Sequence, residues 1–437
     1  MRLLIVSYAF PPVGGVAVQR VTKFAKYLPS CGVETTVLTA ENPSVPIRDE
    51  SLLRDVPAEV KVVRARTLEP SYEKKAAVWR GAASKGRFSG ARRVLARLAS
   101  AALVPDPQIL WLPAAAAAIR RLSANVDVVL VSGPPFSPFL LGPLARVPFV
   151  LDYRDEWRTA ATYEMHGGPL LARAIDTIEP ALVRRAARIL TATEDFRHNL
   201  LARYRDLDPR RVITLTNGYD PDDFAHILDA PPPRTYAPGR KLVATYAGTT
   251  FWHTSPRGLF AGLRLLAERA PALANLFDIR FIGRVVDTER AVFEENPLPM
   301  VRHLGFRPHD EALSLLAESH LALVIVDDIP GNAAIYPGKI FDIMAVGRPC
   351  LALAPEGALS RLVERHRLGL VVHPREPAAI AAALERIALS FQRGEPLLPS
   401  HPVGLEPFHR RAIAGRLAEV LRDIVVPQGQ TSASSAA

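Results

Sequence analysis

Cysteine is nearly missing from this chain. Cys31 and Cys350 are the two that occur in 437 residues, far apart and without metal-ligand spacing. That argues against a disulfide framework or a cysteine-based metal site and fits a reducing, cytosolic setting. Long apolar runs are missing too. No stretch reaches the roughly 18 uninterrupted apolar residues of a membrane-spanning helix. Leu98–Leu112 and Val126–Val150 come nearest and are broken by Pro, Gly, Asp or Arg. The start Met1-Arg2-Leu3-Leu4-Ile5-Val6 imitates a signal peptide, but it runs into Pro-Pro-Val-Gly-Gly and has no small-residue cleavage site. It reads as a buried first strand. Acidic residues are missing from Lys74–Arg97, where Lys74, Lys75, Arg80, Lys85, Arg87, Arg92, Arg93 and Arg97 accumulate.

The remaining composition is globular: 49% apolar and 22% charged. The length predicts two domains of roughly 200 residues each. A net charge of +10 asks for an anionic partner. The basic Lys74–Arg97 stretch interleaves Trp79, Phe88, Val94, Leu95 and Leu98. It reads either as a solvated helical face or as a peripheral contact with an anionic membrane surface. Nucleic acid is not expected, because no recognition motif accompanies the charge.

Strand-like runs at Leu3–Ser7, Thr35–Leu38, Val60–Val63, Val126–Val131, Phe149–Asp152, Arg188–Thr191 and Val212–Leu215 alternate with amphipathic stretches such as Ala17–Leu28 and Leu170–Arg185. Continuous Val/Ile/Leu runs suit parallel strands covered on both faces. After a proline-rich break, a second series follows: Leu242–Tyr246, Ile279–Ile282, Val301–His303, Leu321–Val326, Pro349–Leu353 and Gly369–Val372. The expected class is α/β, two Rossmann-like domains with parallel sheets facing across a cleft. The expected boundaries are a first domain at 1–224, a linker at 225–241, a second domain at 242–403, a last helix at 404–427 and a disordered tail at 428–437.

Two turns of phosphate-binding type mark the two halves. Pro11-Pro12-Val13-Gly14-Gly15 follows the first strand and leads into a helix, and Gly14 and Gly15 let a phosphate approach the backbone. Ala333-Ala334-Ile335-Tyr336-Pro337-Gly338-Lys339 runs into a second helix. A helix N-terminus offers unpaired N–H groups and the positive end of the dipole. Lys339 in its first turn is placed to meet phosphate oxygens as a point charge. Phe306, Arg307 and His309, after a strand end, are candidate neighbours of a nucleobase. Asp152, Arg154, Asp155 and Trp157 cluster at the carboxyl end of an apolar strand, where ligands bind in such sheets. An internal Asp–Arg ion pair is the structural alternative there.

With Asp152-Tyr153-Arg154-Asp155-Glu156-Trp157, Thr216-Asn217-Gly218-Tyr219-Asp220 with Phe224, Tyr246-Ala247-Gly248-Thr249, Phe281-Ile282-Gly283-Arg284, His303-Leu304-Gly305-Phe306-Arg307 and the Pro337–Pro349 segment, the chain resembles, over nearly its whole length, the GT-B fold retaining glycosyltransferases of family 4, also called group 1. The resemblance implies that the C-terminal domain holds a nucleoside-diphosphate sugar and the N-terminal domain a glycan, lipid-linked or small-molecule acceptor. Transfer would proceed with retention, without a metal ion or other cofactor, in the cytoplasm or at the inner face of the membrane. Donor-binding residues would be Gly14, Gly15, Gly338, Lys339, Asp342, Phe306 and Arg307, with Asp342 accepting from ribose hydroxyls. Acceptor-binding residues would be Arg154, Asp155 and Trp157, and catalytic ones Lys339, Arg257 and Asp152. The chain departs from the family where a histidine is replaced by Phe139 and the earlier of two glutamates by Ala334. The usual Arg and Lys after Gly248 are also missing, with Arg257 as stand-in. A non-catalytic nucleotide-sugar-binding protein and, behind it, a nucleotide-sugar epimerase are the alternatives. A dinucleotide oxidoreductase is disfavoured, since no G-x-G-x-x-G follows either opening strand.

Overall fold

A computed structural model describes residues 1–45, 48–75, 103–158, 169–228, 239–295, 297–398 and 400–425. Contacts divide the chain into two units, Met1–Asn217 with Arg410–Ala437, and Gly218–His409.

Unit 1 is built on β1 (Arg2–Val6), β2 (Glu34–Ala40), β3 (Lys61–Ala65), β4 (Val128–Gly133), β5 (Phe149–Tyr153), β6 (Arg188–Thr191) and β7 (Val212–Thr214). They pair in the order β3-β2-β1-β4-β5-β6-β7, all parallel, with Leu3 opposite both Thr35 and Val128. Successive residues of a strand point to opposite faces. Leu4 and Val6 accordingly join one core, with Trp111, Ile119 and Val183, while Leu3 and Ile5 join the other. The helix Val16–Tyr27 covers that second face through Val21, Phe24 and Ala25, and the last helix, Arg410–Val425, through Ile413, Leu417 and Leu421. The chain direction across the sheet reverses between β1 and β4, and in such sheets ligands bind outside the carboxyl ends of the strands at that point.

Unit 2 repeats the plan. Its strands β8 (Leu242–Ala247), β9 (Phe277–Ile282), β10 (Val301–Gly305), β11 (Leu321–Ile325), β12 (Cys350–Leu353) and β13 (Gly369–Val372) lie in the order β10-β9-β8-β11-β12-β13, again all parallel. The helices Arg257–Arg269 and Pro377–Gln392 pack together on one face through Leu259, Leu263, Leu266, Ile380, Leu384 and Ile387. His309–Ala317, Lys339–Val346 and Ala358–Arg365 cover the other. The reversal here falls between β8 and β11.

Both sheets match the expected α/β class. The division by contacts falls at Asn217/Gly218, ahead of the boundary at 224 read from the sequence. The reason is burial: Phe224 and Ile227 are enclosed with Leu313, Leu316, Phe341 and Phe408, all of unit 2. Of the 225–241 segment, Ala225–Leu228 is helical, while 229–238 and the tail from 426 lie outside the described residues. No helix among the described residues is long and apolar enough to cross a membrane.

Candidate functional site

The site grows from the carboxyl end of β8. Tyr246, fully buried near the end of that strand, donates its hydroxyl hydrogen to the Thr249 carbonyl at 3.0 Å. Lys339 opens the helix Lys339–Val346 and lays its Nζ 3.8 Å from the centroid of the Tyr246 ring. The same Nζ donates to the Tyr246 hydroxyl oxygen. Burial pushes the Lys339 amine down to about 7, and the charge of Asp342 offsets this only in part. Burial also holds the Tyr246 hydroxyl well above its usual range, so it stays protonated.

One glycine makes room for that lysine, and a second makes room for the backbone of the first. Gly248 has φ +142°, and a Cβ there would lie 3.0 Å from Cε and Nζ of Lys339. Gly283, at the end of β9, has φ +126°, and a Cβ would stand 2.4 Å from the Gly248 carbonyl oxygen. Both conformations are ones that only glycine adopts cheaply. Backbone bonds from Gly248 N to Ile282 O and from Gly283 N to Gly305 O, each 2.8 Å, lace the ends of β8, β9 and β10 together.

Across the reversal point, the loop after β8 is tied to the loop after β11. Asn332 Nδ2 donates to the Asp327 carbonyl at 2.8 Å and to the His253 carbonyl at 3.3 Å. Its Oδ1 is thereby the acceptor that meets His253 Nδ1 at 2.6 Å. An amide oxygen cannot donate, so Nδ1 carries the hydrogen and Nε2 the lone pair. Burial lowers the His253 pKa, against the Asn332 bond and the Asp327 charge, which favours this neutral form. Neither His253 nor Asn332 was singled out in the sequence. A histidine in Trp252-His253-Thr254 carries no signal until folding brings up an asparagine 79 positions later.

The other residues expected in unit 2 for donor binding, and Arg257, expected to be catalytic, are distributed more widely. Gly338 caps the Lys339 helix in helical conformation, φ −52° and ψ −33°, and Asp342 lies in its first turn. Arg257 is 62% exposed, with Nε 3.9 Å from Glu289, which also accepts from Ser255 Oγ at 2.7 Å. Arg257 lines a groove of about 210 Å³ with Phe260, Arg264, Val292 and Glu295, whereas Lys339 turns to Tyr246. Phe306 is 65% exposed and Arg307 pairs with Glu311 at 3.6 Å, both just after the edge strand β10. Ala334 is buried.

In unit 1, Gly15 is the N-cap of Val16–Tyr27 with φ +96°, and a Cβ there would meet nothing within 4 Å. It supplies a conformation and leaves open space above the helix end. Asp152 has no exposure. Its oxygens accept from Arg20 at 2.8 and 3.1 Å and from Ser132 Oγ at 2.8 Å. Arg20, itself 1% exposed, reaches on to the carbonyls of Leu215 and Thr216 at 2.9 and 2.7 Å. Asp152 thus joins the first helix, β4, β5 and the end of β7. Its ion pair is with Arg20, while Arg154 Nε donates to the Gly133 carbonyl at 3.3 Å. Asp155 is exposed. Trp157 is 2% exposed, stacked on Phe136 at 5.0 Å and 5°, beside Phe139 in the aromatic core. Of the basic stretch, Lys75 pairs with the buried Glu69 at 2.5 Å and Lys74 is exposed. Its continuation from 76 to 97 lies outside the described residues.

Two family models match the chain in order, "Glycosyl transferase 4-like domain" over residues 14–218 and "Glycosyl transferases group 1" over residues 258–389. None of the curated proteins matches it. Solved structures share its fold at low identity. A glycosyltransferase from Rickettsia africae ESF-5 is 15% identical, with 98% of this chain and 99% of that one covered and a TM-score of 0.57. A sucrose-phosphate synthase from Thermosynechococcus elongatus is 14% identical, with 97% and 98% covered and a TM-score of 0.61. A trehalose 6-phosphate synthase from Burkholderia multivorans is 13% identical, with 100% and 99% covered and a TM-score of 0.62. With both models matched in order and a parallel Rossmann-like sheet in each unit, the chain belongs to the GT-B glycosyltransferases of the family 4-like, group 1 kind.

Proposed function

We propose that this chain transfers a sugar from a nucleoside-diphosphate sugar bound in unit 2 to an acceptor bound by unit 1, with retention of configuration and without a metal ion. The observation that carries this reading is Lys339, set at a helix N-terminus and held at the carboxyl end of β8 by Tyr246. In the transfer, the bond from the anomeric carbon to the diphosphate oxygen breaks with its electron pair leaving on the diphosphate. The acceptor oxygen bonds to the same carbon and its proton passes to a departing phosphate oxygen. Negative charge therefore grows on the diphosphate, and preorganised positive groups there give the largest stabilisation. Lys339 and the N–H groups of its helix are those groups. Asp342, one turn on, is proposed to accept from the ribose hydroxyls.

In the same proposal Gly15 belongs to an open turn facing ligand, and exposed Asp155 reaches the acceptor. Asp152 and Trp157 act by holding that region of unit 1 rigid. Lys339→Ala is expected to lower transfer at least a hundredfold, about 2.7 kcal/mol of transition-state stabilisation, with thermal unfolding unchanged. Near-normal turnover would remove Lys339 from the mechanism. A second reading, binding of a nucleotide sugar without transfer, is favoured by Ala334 and by Phe139 lying in the core at a position where family members carry a histidine. Nucleoside diphosphates raising the unfolding midpoint, with no release of diphosphate from any sugar nucleotide, would support it.

A further inference from the structure

Tyr246 does more than fill the core of unit 2. Its ring packs with that of Phe281, centroids 5.2 Å apart, and the Lys339 Nζ lies 3.8 Å from its centroid. Its hydroxyl has one hydrogen, committed to the Thr249 carbonyl at 3.0 Å, which also accepts from Thr254 Oγ1 at 3.1 Å. Towards Nζ the hydroxyl oxygen can therefore only accept. Ring face and oxygen both favour a positively charged amine. An ammonium has three hydrogens, and among the described residues the Tyr246 hydroxyl is their single acceptor. Two remain for an incoming anion. The bare backbone of Gly248 lies against the same end of the side chain, where a Cβ would stand 3.0 Å from Cε and Nζ. Ordering a lysine costs rotamer entropy, and here the order is in place before any ligand arrives.

We propose that Tyr246 is a positioning residue for the diphosphate of the donor. Its ring face and hydroxyl oxygen hold the Lys339 ammonium in the orientation it keeps in the complex, with the two remaining hydrogens turned to phosphate oxygens. Tyr246 itself touches no ligand and acts through Lys339. The inference rests on the donor-site reading above. Tyr246→Phe keeps the ring and the shape and removes only the oxygen, so the core is preserved while the ammonium is freed. Binding must then immobilise the lysine, which weakens affinity about three- to tenfold.

The test is calorimetric titration of the full chain with uridine, guanosine, adenosine and thymidine diphosphates. It compares wild type, Tyr246→Phe, Lys339→Met and the double variant, each first shown to unfold cooperatively. For the diphosphate that binds, Tyr246→Phe should weaken affinity by the factor given above. In the Lys339→Met background the same change should alter affinity less than about twofold, since no ammonium is left to orient. A tyrosine that only supports the fold would weaken both backgrounds equally, and that result overturns the proposal. Protein labelled with carbon-13 at lysine Cε supplies a spectroscopic check. The resonance lost in Lys339→Met should show the upfield proton shift of a group over an aromatic face, with and without diphosphate. Should Lys339→Met bind too weakly to measure, this shift alone decides. An affinity untouched by Tyr246→Phe, or a shift absent from either state, overturns the positioning role and leaves the donor site standing. Failure of a cooperatively unfolding wild type to bind any of the four overturns the positioning role and the donor reading together.

Discussion

The sharpest test of unit 1 is Asp152→Asn, because two roles for this carboxylate predict opposite results. The side chain is fully buried and so is Arg20, whose Nη2 and Nε donate to it at 2.8 to 3.1 Å. Removing one partner of a buried pair strands the other charge and typically costs about 3–5 kcal/mol. Asparagine keeps the shape and can still accept from Ser132 Oγ, so the lower end of that range applies. For a unit of more than 200 residues, each kcal/mol shifts the midpoint by about 2–4 °C, giving a drop on the order of 10 °C. Scanning calorimetry on wild type and variant reads this directly. The double variant Arg20→Met/Asp152→Leu should recover most of the loss, since apolar replacements of a whole buried pair are often neutral or stabilising. A midpoint within about 2 °C of wild type, together with abolished transfer, would refute the structural argument and make Asp152 part of the chemistry.

Gly248→Ala puts a methyl group 3.0 Å from Cε and Nζ of Lys339 at a φ of +142°. Strain of about 1–3 kcal/mol and a displaced lysine should weaken nucleoside-diphosphate binding at least tenfold, measured by calorimetric titration; unchanged affinity would separate Lys339 from the diphosphate. His253 supplies a pH prediction. Its folded-state pKa lies below the ordinary value of 6.5 because it is buried, so the unfolded chain binds more protons just below pH 6.5. The stability contributed by the neutral ring is therefore complete above the unfolded pKa and declines as pH falls from 6.5 towards the folded value. The unfolding midpoint of His253→Gln should fall less than that of wild type between pH 7 and 5.5, and parallel curves would show that His253 does not titrate in this window.

Much of the fold was legible because its determinants are local. Leu3-Leu4-Ile5-Val6 is apolar at every position, which marks a strand buried on both faces, and it lies between β2 and β4 with both faces covered. The helix after Gly15 and the helix after Gly338 were equally readable from their glycine turns. The unit boundary was harder, since it depends on Phe224 and Ile227 finding a core built by Leu313, Leu316, Phe341 and Phe408. Nothing within the Gly218–Phe224 sequence names that core. The last helix posed the same difficulty: its apolar positions were visible, and the partner they would cover, the face carrying Val21 and Phe24, was not.

The same distinction separates the two acids that the sequence offered for chemistry. Asp342 is half-buried on a first helical turn beside Lys339, where the backbone alone fixes its place. Asp152 lies near the carboxyl end of the apolar strand β5, and strand ends carry ligand sites in folds of this kind. A strand end also lies where helices and neighbouring strands converge, so an acid there can equally be the knot that joins them. Which one it becomes is decided by a basic residue in another element, here Arg20, 132 positions away. Lys339 shows the converse. Its place at a helix start was visible, but its surroundings depend on Tyr246, 93 positions distant, and on Gly248, where a Cβ would lie 3.0 Å from Cε and Nζ.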